Sequence, residues 1–146
     1  MSLIERLKNQ FINSKKKQKE TLDKEKKKEK EFRNKFESIV KDSKFLNDLD
    51  ELMRFFDSKN KNSHGAEKCG YKIQEYSKGP QLIFYKDGRS DSLAFIDLGE
   101  DGRIRVGDFN INNLNSNETF SIHDKKRAQE YFLELVTENM SLRDND

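Results

Sequence analysis

QLIFYKDGRSDSLAFIDLGEDGRIRVGDF, residues 81–109, contains three apolar runs separated by two Asp-Gly pairs, and this pattern decides the fold. Runs at 81–86, 92–98 and 103–109 have strand length and β-rich composition, and Asp87-Gly88 and Asp101-Gly102 are short-turn signals between them. A fourth run at 71–77 precedes them, set off by Lys78-Gly79-Pro80. Connections this short join antiparallel neighbours, so the four runs predict a meander. Leu82, Ile83, Phe84 and Tyr85, and likewise Leu93, Ala94, Phe95 and Ile96, are apolar at consecutive positions. Such strands are expected to be covered on both faces. Ile104 and Val106 alternate with Arg103 and Arg105, which predicts a half-exposed last strand.

Beyond the meander, an Asn-rich loop at 110–117 leads to a short fifth strand candidate at 119–122. Ser121 then precedes Asp124 by three positions, a helix-start pattern, ahead of Ala128, Tyr131, Phe132, Leu135 and Val136 at helical spacing. A C-terminal amphipathic helix over about 124–140 follows. Upstream, Phe45, Leu46, Leu49, Leu52, Met53 and Phe56 mark a short amphipathic helix over about 45–57, and 58–70 reads as a loop. The C-terminal helix is expected on one sheet face, leaving the other to the 45–57 helix or to a second copy of the chain. The class is α+β: a long charged N-terminal helix, then a meander of four to five strands packed with two helices.

The long helix comes from residues 2–41, which contain neither Gly nor Pro and are rich in Lys, Glu and Gln. Residues 1–44 hold 15 Lys/Arg against 8 Asp/Glu, while 45–146 hold 14 against 19. A basic helical arm, 1–44, is therefore set apart from an acidic α+β domain, 45–146. At 100° per residue, Leu3, Leu7 and Phe11 share a side with Phe32, Phe36 and Ile39. Leu7, Phe11, Phe32 and Phe36 are the helix-pairing candidates, and the arm is a coiled-coil candidate through them. Between these ends the same side passes Gln18, Leu22, Glu25 and Glu29, which are poor seam residues.

Lys15, Lys16, Lys17, Lys19, Lys26, Lys27 and Lys30, with Arg33, are the leading candidates for contact with an anionic partner. Lys15, Lys19, Lys26 and Lys30 form one stripe, and a cationic stripe can follow a phosphate backbone through charge alone. No aromatic residue falls between 12 and 31, so stacking on single-stranded bases has no support there. The plainer interpretation is a solvated helix, and Lys outnumbering Arg 21 to 8 matches an A/T-rich coding bias. Arg103 and Arg105, near Lys72 and Gln74, extend the candidate set onto the sheet; charges also protect sheet surfaces from aggregation.

Other chemistry is thinly represented. One cysteine, Cys69, precludes an internal disulfide, and with two histidines it leaves too few ligands for structural zinc. A reducing, cytoplasmic setting is expected, with no metal and no cofactor. No run approaches the ~20 apolar residues of a membrane span. Glu5 and Arg6 interrupt any signal-like start, and the short Leu3, Ile4, Leu7, Phe11 face argues against a membrane-surface helix. The sequons at Asn117 and Asn139 then count as chance. Asp87, Asp91, Asp97, Glu100, Asp101 and Asp108 near strand ends keep a small metal-dependent nuclease as a third alternative. His64 and Cys69 have no third group to make a catalytic set. His123 is expected at the start of the last helix.

The expectation is a non-enzymatic binding protein whose basic arm engages nucleic acid or a nucleic-acid-binding assembly, with homo-oligomerisation through the N-terminal helix. The alternative is an assembly protein acting by helix pairing.

Overall fold

The computed structural model describes residues 2–59, 69–86, 91–108 and 117–144. Outside them lie His64, Asp87, the Asp87-Gly88 turn and most of the Asn-rich loop. The chain divides into two compact units, Met1–Asn34 and Lys35–Asp146.

Helix α1, Leu3–Val40, begins the chain. Ser2 caps its start: Ser2 Oγ accepts from the Glu5 amide at 3.2 Å, and Ser2 O accepts from the Arg6 amide. At 38 residues the helix extends about 57 Å. Every residue from Ser2 to Glu31 is exposed, whereas Phe36, Ile39 and Val40 are buried. The last turns of α1 therefore belong to the globular unit, and the division falls ahead of Phe36 rather than near residue 44, where the charge pattern had put it.

In that unit, α2 runs Ser43–Lys59, two residues longer at each end than its periodicity indicates, and α3 runs Lys125–Asp144, longer at its C-terminal end. The strands are β1 Gly70–Tyr76, β2 Gly79–Lys86, β3 Asp91–Leu98, β4 Ile104–Gly107 and β5 Glu118–Phe120. They pair antiparallel in chain order, as the meander requires. Between β1 and β2, Ser77 and Lys78 make the turn; Gly79 at φ 125° and Pro80 already pair with Tyr76 and Glu75. Pro80 opens its strand, where its missing donor costs least. In the Asp101-Gly102 turn, Gly102 takes φ 79° and Asp101 Oδ1 accepts from the Arg103 amide at 3.0 Å. Ser121 caps a 3-10 turn, Ile122–Asp124, that feeds α3.

Side chains of directly opposed residues share a sheet face. One face carries Tyr71, Leu82, Phe84, Ala94, Ile96, Leu98, Ile104, Val106 and Phe120. Both α2 and α3 pack on it. Phe56 of α2 meets Phe84 edge-on at 6.2 Å, Tyr131 of α3 meets Phe120 at 5.7 Å, and Phe45 joins α2 to Phe132 of α3 at 5.8 Å. Of the two coverings expected for the opposite face, the 45–57 helix or a second copy, the first is thus excluded. Consecutive apolar residues show that both sides are buried, but not which element does it. On the other face, Ile83 and Phe95 are buried beside a polar row, and Asn117 lies where a Cβ on Gly107 would be.

Three buried amides fix these layers. Gln129 Nε2 donates to Ile39 O at 2.7 Å, and Asn139 Nδ2 donates to Leu93 O at 2.6 Å and to Asp108. The third, Gln81, belongs to the polar row. Asn139 is spent on this packing, which removes it as a glycosylation acceptor.

Two carboxylates of α2 hold β1. Tyr71 donates to Asp50 at 2.6 Å, and the Cys69 thiol lies 3.3 Å from Asp57 Oδ1. Burial, followed by the hydrogen bond to Asp57, pushes the thiol from an ordinary 9.0 up to about 12, and burial with Asp50 pushes the Tyr71 hydroxyl from 10.0 up to about 12. Both groups keep their protons longer folded than unfolded. Their contribution is therefore complete below about pH 9 and declines as pH rises towards 12. Denaturation midpoints are expected to fall between about pH 8 and pH 10.5, and less so in the Cys69→Ala, Tyr71→Phe double variant. Equal slopes for parent and variant would contradict this account.

Candidate binding surfaces

Three surfaces on the two units have enough organised chemistry to bind something. The first is the lysine-rich part of α1. Its periodicity places Lys8, Lys15, Lys19, Lys26, Lys30 and Arg33 within one band about 60° wide. Ile12 is the remaining residue of that band between 8 and 33, and no carboxylate falls in it. Lys16 and Lys27 lie to one side of it, and Lys17 is on the opposite side of the helix. All of these cations are exposed. A helical rise of 1.5 Å per residue spaces the band's cations by roughly 4 to 10 Å, within a Debye length of about 8–10 Å. Their fields therefore add.

The N-terminal turns of α1 make the second surface. Leu3, Ile4, Leu7, Phe11 and Ile12 are all more than half exposed, and Lys15 Nζ lies 5.7 Å from the Phe11 ring centroid. The proposed pairing set does not survive intact. Leu7 and Phe11 are open, Phe32 is half-buried, and Phe36 is 1% exposed within the core of the second unit. Phe36 cannot pair with another helix while that core is formed.

The third surface is the polar row on the opposite sheet face, where Gln81, Asp97, Arg105 and Thr119 stand opposite one another on four strands. Arg105 donates to both oxygens of Asp97 at 2.8 Å, and Gln81 Nε2 donates to Asp97 Oδ2 at 2.9 Å. The Asp97 hydrogen bonds, set against burial, hold the guanidinium above its usual value. Nε and Nη2 are thereby committed to a buried carboxylate that neutralises the charge, which leaves a weak phosphate ligand. Arg105 therefore leaves the set of candidate nucleic-acid contacts, while Arg103 stays exposed with Nε 3.4 Å from Thr119 Oγ1. The register that creates this row was invisible without strand pairing.

Among the described residues, the carboxylates of the nuclease alternative are not brought together; Asp87 lies outside them. Asp97 is held by Arg105, Asp108 by Asn139, and Glu100 and Asp101 are exposed at a turn. Among the described residues, no group of three or more His, Cys, Asp and Glu is placed to hold a metal ion. Cys69 is committed to Asp57, and His123 is exposed in the 3-10 turn. No described helix is long and apolar enough to cross a membrane. Comparison with protein-family models, with curated proteins and with solved structures finds no match.

Proposed function

We propose that this chain is a non-enzymatic binding protein whose α1 engages nucleic acid, or an assembly that carries it, by charge. The band from Lys8 to Arg33 supports this reading, because it extends about 37 Å along one side of a helix with no carboxylate among its own positions. Binding of this kind positions the protein on the phosphate backbone, and contacts made by charge alone carry no base sequence. A reducing, cytoplasmic location accompanies the proposal, in keeping with the buried free thiol of Cys69.

Each phosphate contact releases condensed counterions, so log K for duplex DNA should fall with log[salt] by about 0.9 per contact. Replacing Lys15, Lys19, Lys26 and Lys30 with Gln keeps helix propensity and should reduce that slope by roughly three, for all sequences alike. Retention of duplex that the fourfold variant leaves unchanged would overturn the assignment of the band, as would no retention by the parent at about 50 mM salt.

A further inference from the structure

Between the outer sides of α2 and α3 lies a groove of about 770 Å³ lined by Asp48, Glu51, Leu52, Phe55, Leu133, Glu134, Thr137 and Glu138. Its floor is apolar: Leu52, Leu133 and the Phe55 ring, which is 52% exposed. Its rim is acidic, with two carboxylates from each helix and no cation among the lining residues. Lys59 Nζ lies over the Phe55 ring at 5.6 Å and offsets part of that charge.

A groove of this character suits a helix with a short apolar face flanked by basic residues. Residues 2–17 of α1 form one. Ile4, Leu7 and Phe11 recur at three- and four-residue intervals, and the face from Ile4 to Ile12 extends about 12 Å. That matches the roughly 10 Å from Asp48 to Phe55 along α2. Lys8 and Lys15 lie beside the face on one side, Lys17 lies further round on the other, and Glu5 and Arg6 sit at comparable angles well away from its centre, so that residues 2–17 carry five Lys/Arg against one Glu. Charge and apolar pattern are thus complementary.

We infer that the N-terminal face of α1, centred on Leu7 and Phe11, docks in the α2/α3 groove of a second copy of this chain. The occupant is a second copy because the basic, apolar arm face and the acidic groove are complementary surfaces that every copy carries. Each copy offers one arm and one groove, so two reciprocal contacts close a pair. This inference shares Lys8 and Lys15 with the nucleic-acid reading, but the apolar face and the groove on which it turns play no part in that reading.

The test is sedimentation of the full chain, freed of nucleic acid, across the micromolar range. The parent should shift from one chain towards two as concentration rises. Two variants should stay monomeric: Leu7→Asp with Phe11→Asp, which removes the arm's face, and Glu51→Lys with Glu134→Lys, which reverses the rim. All four positions are exposed, so unchanged melting is expected of both variants. Mixed together, they should form a one-to-one complex, since one retains the groove and the other the arm. A parent that is monomeric throughout would overturn the inference. So would a rim-reversed variant that associates like the parent, which would mean arms pairing with arms, or a mixture that stays monomeric.

Discussion

A chain starting at Lys41 should lose its cooperative melting transition, whereas one starting at Lys35 should keep it. The six residues between these starts include Phe36, Ile39 and Val40, each no more than 1% exposed. Burying side chains of this size stabilises by about 1.5–3 kcal/mol each. Removing Ile39 also takes away the carbonyl that satisfies the buried Gln129 amide, at a further cost of about 1–3 kcal/mol. Together these losses are comparable to the whole stability of an ordinary domain, about 5–15 kcal/mol. Charge alone suggests a later start, because Lys41 and Lys44 prolong the basic composition; burial shows that the core has begun by Phe36. Circular dichroism melts of the two shortened chains decide the matter. A sigmoidal transition for the Lys41 start within a few degrees of the Lys35 start would show that the end of α1 is not part of the core.

Phe132→Ala should be nearly as damaging. The ring is fully buried and meets Phe45 edge-on at 5.8 Å, where α3 and α2 join. Truncation removes the ring's transfer free energy and leaves a cavity between two helices that are also anchored elsewhere, by Gln129 and Asn139 on one side and Phe56 on the other. The site can collapse only partly, so the expected cost is about 3–5 kcal/mol. In a domain near this size that lowers the melting temperature by more than about 10 °C. A melt within a degree or two of the parent would mean that α3 does not rest on the sheet through Phe132.

The elements were legible because their signals are local. Leu82–Tyr85 and Leu93–Ile96 have strand character in any context, Asp101-Gly102 is a turn for its own backbone reasons, and Phe45 to Phe56 repeat with helical period. The placement of α2 was not legible. Alternation reports how much of a strand is apolar, and only a contact such as Phe56 on Phe84 reports what lies over it. Arg105 shows the same limit: beside Arg103 it looks like an exposed cation, and only the β3–β4 register puts it against Asp97. Phe36 shares a wheel position with Phe11 yet is in the core, because a wheel gives direction and no depth. The lysine band needed nothing beyond helical period. The acidic groove needed two helices to be set side by side.

The central claim, that binding resides in α1 ahead of Phe36, is tested most directly by fluorescence anisotropy of a labelled duplex titrated at several salt concentrations with the full chain and with the chain starting at Lys35. The account predicts that the full chain binds at about 50 mM salt with affinity falling steeply as salt rises, and that the shortened chain, still folded, does not bind. Equal binding by the two would place the contact on the globular unit and contradict the account.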